Sequence, residues 1–499
     1  MQEIILCATA ASSSSASSST GPGCIALHDL QTGNSLASFK QTNAPRNSTA
    51  ILESTGSEGG FMLSCQPDKS ILNVYNFQKD QLAMKIVLPE KLTCIALDPR
   101  GHFCAGGTAQ GRIYLWEVSS GILYNAWDGH YRQVTVLRFT RDGAALISGS
   151  DDSGVSVWSV SRLVDDDLQN ELPLPYTTLS DHTLPITDIT CGVGVFPQLR
   201  VLTASVDHSV KVWDLATKSL LTTFTFPQVI SCLAWDVAER FFFAAAPDGS
   251  VHQVNLFRDA DEKSGIPAEA VGGAGLSDVI RIEDIPAEAR RKRLISVSEP
   301  VSALCISATG ALLLVGTTSG PVHVYDIPSH QLLRTITTHK GFTVTHLATM
   351  LKPPDLVGHV SLSMSAGDPK DVVPVRPVAA FQRMRDAKAR TAHEVATLLP
   401  PSARTADIAY SEDEMLRDHA FFLQPAQTSG GQQDAVTLQA RVTDLEGEVA
   451  ALREQLGRAK GVNDMMWDNI VQKVVRNRQT GAPDDGEADE ERKRKRGRT

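Results

Sequence analysis

Short runs of alternating or continuous apolar residues fill the first 355 residues of the chain, and polar turns separate them. One unit of this pattern predicts four strands, at residues 186–190, 200–204, 210–213 and 220–224. Turn sequences such as Arg141-Asp142-Gly143 join neighbouring runs and predict hairpins. Similar units begin near residues 50, 92, 134, 230 and 301. The pattern therefore predicts an all-β domain built from six full units.

The two ends of this region each supply part of a seventh unit. Residues 3–9, 24–29 and 35–39 are predicted as second, third and fourth strands that lack a first strand. Residues 342–351 are predicted as a first strand without followers. Pairing the two parts would close a ring and remove the exposed sheet edges. We therefore expect the N-terminal and C-terminal parts of the domain to share one sheet.

Two neighbouring units carry the same polar residues at the same spacing. In each unit a strand ends with Trp, an Asp lies six residues before the Trp, and a Ser or Thr lies ten residues before it. A His lies in the turn upstream. These residues are His130, Ser148, Asp152 and Trp158 in one unit, and His182, Thr203, Asp207 and Trp213 in the next. Such self-similarity is typical of a WD-repeat β-propeller. Residues 1–355 are predicted to form seven blades, with insertions at 161–178 and 258–299.

The repeated polar residues have two interpretations. They can form a buried hydrogen-bonded chain that joins the turns of one blade, or a catalytic Ser-His-Asp set. The repetition at strand spacing favours the structural role. Other units depart from the pattern, with Gln110 in place of the Asp and Tyr325 in place of the Trp.

Composition narrows the function classes. The net charge of −10 argues against nucleic-acid binding by overall charge. The eight Cys include no CxxC pair, so neither a zinc cluster nor a disulfide framework is predicted. No apolar run approaches the roughly 20 residues of a membrane span, so no membrane association is expected. Without a phosphate-binding loop or metal-ligand spacing, we expect no cofactor and no enzymatic activity.

Two insertions carry strong local charge. Asp165-Asp166-Asp167 predicts a solvated acidic loop or a site for a basic partner. The larger insertion ends with Arg290-Arg291-Lys292-Arg293, which lie within a predicted short helix at 285–293. These basic residues are either solvated or in contact with RNA, and the sequence leaves both open.

The region after the propeller, residues 356–433, is predicted to be an extended and irregular linker. Prolines from Pro353 to Pro377 favour an extended path along the propeller flank. Two short helices are predicted within the linker, at residues 381–399 and 412–423.

Residues 434–476 show apolar side chains at positions a and d of a heptad repeat. This pattern predicts a parallel two-stranded coiled coil that makes a homodimer, and Asn463 at an a position would fix its register. The alternative is one amphipathic helix that packs on the propeller. Trp467 lies where the apolar face broadens, which suggests docking of a partner. The predicted seam consists of Leu438, Val442, Leu445, Val449, Leu452, Leu456, Asn463, Met466 and Ile470.

Residues 477–499 form an acidic block followed by a basic block, and such a tail is predicted to be disordered. The basic cluster indicates a nuclear import signal or a contact with RNA. It consists of Lys493, Arg494, Lys495, Arg496 and Arg498.

The order of these parts resembles that of the fungal WD-repeat family of pre-rRNA-processing subunits. The resemblance rests on the propeller, on the exit sequence Lys352-Pro353-Pro354-Asp355-Leu356-Val357-Gly358-His359 and on the helix that ends near Trp467. A similar animal protein is a WD-repeat subunit of a nuclear complex built around a proline-, glutamate- and leucine-rich protein.

The resemblance implies a non-enzymatic scaffold of the nucleolus and nucleoplasm. Its complex would remove the second internal transcribed spacer during maturation of the large ribosomal subunit. The implied partners are helical-repeat subunits, precursor particles of the large subunit and, indirectly, a midasin-type AAA ATPase. A WD-repeat adaptor in chromatin or replication licensing, or a ubiquitin-ligase substrate receptor, is the alternative.

Overall fold

The computed structural model of the protein describes residues 2–11, 23–40, 42–54, 58–165, 171–259, 268–271, 278–284, 286–358, 375–386, 388, 390, 392–395, 442–443, 445–462 and 465–467. The chain divides into two units, Met1–Ala403 and Arg404–Thr499.

Seven of the sheets described in the first unit have four or five strands and are numbered here as blades 1 to 7, and an eighth sheet has two strands. Blade 1 begins with β1 (Glu3–Ala11), β2 (Cys24–Asp29) and β3 (Ser35–Lys40). Blade 2 contains β4 (Thr49–Leu52), β5 (Phe61–Cys65), β6 (Ile71–Asn76) and β7 (Leu82–Val87). Blade 3 contains β8 (Leu92–Leu97), β9 (Phe103–Thr108), β10 (Arg112–Glu117) and β11 (Leu123–Asp128). Blade 4 and its insertion contain β12 (Val134–Phe139), β13 (Ala145–Ser150), β14 (Val155–Ser159), α1 (Val160–Val164) and β15 (Thr177–Leu179).

Blade 5 contains β16 (Ile186–Cys191), β17 (Arg200–Ser205), β18 (Ser209–Asp214) and β19 (Ser219–Thr225). Blade 6 begins with β20 (Cys232–Trp235), β21 (Phe241–Ala245) and β22 (Ser250–Asn255). An insertion follows with β23 (Phe257–Asp259), β24 (Ala268–Ala270), β25 (Asp278–Arg281), a 3₁₀ helix (Ile282–Asp284), α2 (Ala287–Lys292) and β26 (Leu294–Ser296). Blade 7 contains β27 (Val301–Ile306), β28 (Leu312–Thr317), β29 (Val322–Asp326) and β30 (Leu332–Ile336), and β31 (Phe342–Leu351) comes last.

The first and last strands of this unit close the ring. β1 pairs antiparallel with β31 from Glu3–Leu351 to Ala11–Phe342, with a bulge at Ala8 and Thr9. The sheet order β3-β2-β1-β31 makes β31 the first strand of blade 1. The predicted seven-bladed propeller, with its shared closing sheet, is therefore confirmed.

Glycines in the second strands give the blades room to pack side by side. A Cβ on Gly107 would lie 2.7 Å from the Cβ of Val134 in the next blade. A Cβ on Gly149 would lie 2.8 Å from Ile186 in the same way. Because real Cβ atoms do not approach other atoms so closely, only glycine lets the first strand of the next blade reach this position.

Both predicted insertions interrupt a blade between its third and fourth strands. In blade 6 the fourth strand is β26, which pairs with β22 only after the insertion. Strand β25 pairs parallel with β19 and extends blade 5 to five strands. The short helix predicted at 285–293 corresponds to α2, whereas α1 was not predicted.

The predicted helix at 381–399 is wrong at residues 381–386 and 393–395, which are not helical, whereas residues 388 and 390 are helical. Phe381 and Gln382 instead contact blade 3, and the amide of Gln382 donates to the carbonyl of Gly121 at 2.8 Å. Burial of Phe381 in the core of blades 2 and 3 outweighs the helical preference of the segment. The helix predicted at 412–423 lies outside the described residues.

In the second unit, residues 442–443, 445–462 and 465–467 are helical. These residues are called the C-terminal helix below. Among the described residues, no helix of the chain is both long and apolar enough to cross a membrane.

Candidate partner-binding surfaces

The polar residues of blade 5 form one continuous hydrogen-bonded chain. The Nδ1 of His182 lies 2.9 Å from Asp207, and its Nε2 lies 2.8 Å from the hydroxyl of Thr203. The indole of Trp213 donates to the same hydroxyl at 2.8 Å. Asp207 also accepts from the amide of Thr183, at 3.2 Å. The chain thus joins the turn before β16 to strands β17 and β18.

Blade 4 repeats this arrangement. His130 lies 3.1 Å from Asp152 through Nδ1 and 2.7 Å from the hydroxyl of Ser148 through Nε2. Trp158 donates to Ser148 at 2.9 Å. Because the ionised Asp152 can only accept, Nδ1 carries the proton and Nε2 accepts from Ser148.

These chains are enclosed, which argues against a catalytic role. Ser148 and Thr203 are fully buried, and each hydroxyl already accepts an indole N–H. Burial alone would raise the pKa of Asp152, but hydrogen bonds from His130 and the amides of Tyr131 and Gly154 lower it to about 2. A stably ionised carboxylate beside a saturated, inaccessible hydroxyl is suited to joining turns and offers no exposed nucleophile.

Blade 3 departs from this arrangement. Gly106 occupies the position of Ser148 and Thr203, ten residues before Trp116. A Cβ on Gly106 would lie 2.5 Å from Leu92 and 3.1 Å from the ring of Trp116. Trp116 instead stacks between Tyr114 and Phe381, with centroid distances of 5.2 and 5.3 Å. Its indole donates to the carbonyl of Gln382 at 2.9 Å.

Phe381 and Gln382 belong to a segment that crosses the propeller flank, whose described residues are 375–386, 388, 390 and 392–395 and are called the strap below. The amide of Ala379 donates to Val118 at 2.9 Å, and the amide of Gln382 donates to Gly121 at 2.8 Å. Phe381 is buried within the core cluster of blades 2 and 3. The strap therefore replaces, from outside the repeat, the partner that blade 3 lacks.

Charged side chains extend the strap contact on both sides of Phe381. Arg376 donates to Glu58 at 2.9 Å. Arg390 lies over the ring of Tyr124 at 4.5 Å and donates to the carbonyl of Val164 in α1 at 3.2 Å. The strap thus spans blades 2 to 4. Most of the proline-rich stretch for which a path along the flank was predicted, residues 359–374, lies outside the described residues.

A cluster of ion pairs lies where the first strands of the blades surround the centre of the ring. Asp188 in β16 accepts from Arg46 at 3.1 Å and from Arg138 in β12 at 3.3 Å. The amide of Leu233 in β20 donates to the same carboxylate at 3.0 Å. The two arginines line a cavity of about 290 Å³. This cluster joins blades 4, 5 and 6 and the segment that precedes blade 2.

Blade 1 carries a pair of histidines that the sequence pattern did not predict. The Nε2 atoms of His28 and His339 lie 2.8 Å apart. Burial, with a smaller contribution from His339, lowers the pKa of His28 to about 4, and burial also lowers the pKa of His339. His28 precedes Asp29 at the end of β2, just as Trp213 precedes Asp214 at the end of β18. This correspondence with the Trp-Asp position of blade 5 is the sequence feature from which His28 could have been identified.

The basic run of the large insertion is divided between two environments. Arg290 and Arg293 line a cavity of about 320 Å³ between the insertion and blades 5 and 6. Arg291 and Lys292 are exposed and do not line the cavity, whereas Arg290 is half-buried and Arg293 lines the cavity while remaining exposed to solvent.

The C-terminal helix leaves its apolar row exposed within its own unit. Val442, Leu445, Val449, Leu452 and Leu456 are all 47–74% exposed, as are Met466 and Trp467 at 59% and 61%. The other predicted residues, namely Leu438, Asn463, Ile470, Lys493, Arg494, Lys495, Arg496 and Arg498, lie outside the described residues.

The eight Cys are free thiols, buried or half-buried. Burial raises the pKa of Cys94 to about 12, so this thiol stays protonated at neutral pH. Within the described ranges, no group of three or more His, Cys, Asp and Glu side chains could hold a metal ion.

Comparisons with known proteins match this architecture. The model of the WD domain, G-beta repeat, matches residues 121–159 and 174–214, which contain the two complete hydrogen-bonded chains. The pre-rRNA-processing protein IPI3 of Mycosarcoma maydis is 34% identical over 92% of this chain and 95% of its own length. The protein of the same name in Yarrowia lipolytica is 30% identical over 91% and 98%. WD repeat-containing protein 18 of Homo sapiens is 33% identical over 65% and 69%.

Proposed function

Because the chain belongs to the family of proteins named pre-rRNA-processing protein IPI3 in fungi and WD repeat-containing protein 18 in animals, we propose that it acts in pre-rRNA processing. The observation that carries this proposal is the alignment with a fungal relative over 92% of the chain and 95% of the relative. A nuclear and nucleolar location follows from the same proposal.

In its finer form, the proposal makes the chain a non-enzymatic scaffold. It would serve a complex that removes the second internal transcribed spacer during maturation of the large ribosomal subunit. The enclosed hydroxyls of Ser148 and Thr203 support a structural role for the polar chains. Helical-repeat subunits and precursor particles of the large subunit would bind the propeller, and a midasin-type AAA ATPase would be reached through them.

We assign the parts of the chain accordingly. Residues 1–355 form the binding platform, 356–433 link it to the remainder, 434–476 dimerise, and 477–499 carry a nuclear import signal or an RNA contact. The exposed apolar row of the C-terminal helix supports dimerisation, because a solvated helix gains nothing from five large apolar side chains in one stripe. Two joined propellers would bind a two-copy partner with raised effective concentration.

The dimer is tested by replacing two seam residues. The double variant Leu445→Asp and Leu452→Asp is expected to be monomeric, because two charges per helix would be buried in an apolar interface. Sedimentation velocity on the full chain measures the mass. The control variant Ala450→Asp and Ala451→Asp adds the same charge to the same helix, away from the seam, and should remain dimeric. A wild-type chain that is monomeric at micromolar concentration contradicts the proposal.

The function is tested by purifying the tagged chain from its own cells and identifying proteins and RNA together. We expect assembly factors of the large ribosomal subunit and precursor RNA that contains the spacer. Recovery of ubiquitin-ligase or chromatin subunits without precursor RNA would instead favour the alternative adaptor function. The sequence pattern of the propeller fits that alternative equally well, and the family membership favours pre-rRNA processing.

A further inference from the structure

The large insertion is folded against the propeller at both of its ends. Strand β25 pairs with β19 from Thr222–Asp278 to Thr225–Arg281. Ile282 is buried in the same core cluster as Phe224 and Val254. At its far end, β26 completes blade 6. The described parts of the insertion therefore form a built surface on blades 5 and 6.

The cavity beneath this surface, called the insertion pocket below, has a volume of about 320 Å³. This lies at the lower end of the roughly 300–1,000 Å³ of ligand pockets. Phe257 is 41% exposed, so a large aromatic side chain reaches solvent at the pocket. The apolar wall consists of Phe224, Val254, Phe257, Val271, Ile280 and Ile282.

The charged lining of the pocket is basic. Arg290 and Arg293 line it together with His252, and none of the described residues that line it is a carboxylate. Neither guanidinium has an ion pair or a side-chain hydrogen bond within the described part of the chain. The backbone of Arg293 is fixed, because its carbonyl accepts from the amide of Gln253 at 2.9 Å. In a protein of net charge −10, two arginines that have no carboxylate partner among the described residues mark, beside an apolar wall, a local site for an anionic group.

We propose that the insertion pocket binds a linear peptide of a partner protein, with a bulky apolar side chain in the pocket and an Asp or Glu carboxylate on Arg290 and Arg293. The guanidinium fork matches a carboxylate, and the apolar wall matches an aromatic or branched side chain. RNA fits less well, because its affinity comes from many phosphate contacts and the pocket offers two arginines beside a mostly apolar wall. This proposal rests on the scaffold function and names one partner chemistry for it.

The test compares two double variants in which two basic residues of α2, or of α2 and the residue that follows it, are replaced by glutamate. The variant Arg290→Glu and Arg293→Glu changes the pocket, whereas Arg291→Glu and Lys292→Glu changes exposed residues outside it by the same total charge. A displayed library of random 12-residue peptides is selected on the full wild-type chain. The enriched peptides, and a single-stranded RNA 12-mer, are then titrated against both variants by fluorescence anisotropy.

We expect enrichment of peptides with a bulky apolar residue close to Asp or Glu. Their affinity should fall at least about tenfold in the pocket variant and stay within about twofold in the outer variant. The Phe257→Ala variant, which changes a partly exposed side chain, should weaken the same peptides without loss of fold by circular dichroism.

Three outcomes would overturn the proposal. These are enrichment without acidic residues, equal losses in the two charge variants, and an RNA 12-mer that binds more tightly than the peptides with equal losses in both variants. The last outcome identifies a diffuse RNA contact. Peptide binding is measured on the isolated chain, so a negative result there contradicts the peptide proposal and not the proposed function. Failure to recover precursor RNA from cells contradicts the proposed function and does not change the peptide measurement.

Discussion

The Phe381→Ala variant is expected to lose about 3–5 kcal/mol of the free energy that holds the strap on blade 3. Phe381 is 4% exposed and stacks on Trp116 within the core cluster of blades 2 and 3. Truncation removes the buried ring and leaves a cavity beside the indole, and both effects destabilise the bound strap.

The lost free energy should first increase the detachment of the strap, without unfolding the propeller. Because the strap lies on the flank, it can detach while the strands of the propeller stay paired. Hydrogen exchange should therefore accelerate by more than about a hundredfold at the amides of Ala379 and Gln382, which donate to blade 3. Amides of β17 and β18 in blade 5 should keep their protection, and exchange detected by mass spectrometry or NMR measures both.

Met384 provides the control, because it lies on the same strap and is 80% exposed. Met384→Ala should change the docking free energy by less than about 0.5 kcal/mol. Equal exchange at Ala379 in the wild type and in Phe381→Ala would show that the strap is held by its charged contacts at Glu58 and Tyr124.

The fold could be predicted from the sequence because the patterns that indicate it involve residues close together in the chain. Apolar alternation located the strands, and the predicted last strand at 342–351 has the bounds of β31. The spacing of the Trp residues located the hydrogen-bonded residues of blades 4 and 5. Each of these patterns repeats within about one blade, so one repeat could be checked against the next.

The individual contacts of the strap could not be predicted because the contacting residues are distant in sequence and some of the contacts are made by backbone groups. The acceptor for Trp116 is the carbonyl of Gln382, 266 residues later. A carbonyl has no signature in sequence, and the apolar residues near Phe381 suggested a helix instead. The parallel pairing of β25 was missed for the same reason, because its partner β19 belongs to another blade.

The binding site proposed at the insertion pocket could not be predicted from the sequence either, because its residues come from separate parts of the chain. The run Arg290–Arg293 was recognisable in the sequence as a basic cluster. Which of its side chains line the pocket depends on the position of α2 and of the residue that follows it. The basic run alone left solvation and RNA contact open. Geometry adds the apolar wall beside Arg290 and Arg293, and that wall is what favours a peptide.

Replacing Asp207 with asparagine is expected to destabilise the propeller by about 2–3 kcal/mol at pH 7. The carboxylate accepts from His182 at 2.9 Å, from the amide of Thr183 at 3.2 Å and from the hydroxyl of Ser209 at 2.6 Å. An amide retains only one oxygen, so its NH₂ group would face a donor. Urea unfolding of the full chain, followed by tryptophan fluorescence, measures the loss.

The loss of stability in Asp207→Asn should be larger at neutral pH than at acidic pH. Burial alone would raise the pKa of Asp207, but the hydrogen bonds from His182 and Ser209 hold it well below its usual range. A depressed pKa means that the stabilisation is complete above the unfolded value of about 3.9 and is lost as the pH falls towards the folded value. The difference between wild type and variant should therefore be largest above pH 5 and should narrow at pH 3.

Asp214 provides the matched control, because it ends β18, the strand that follows Asp207, and accepts a hydrogen bond from the exposed Thr217 at 2.9 Å. Asp214→Asn should cost less than about 1 kcal/mol at either pH. A loss in Asp207→Asn that stays equal at pH 3 and pH 7 would assign the effect to packing and not to charge. Full stability combined with failure to recover partner proteins would instead make the His182 chain part of a binding site, against the structural role that its burial supports.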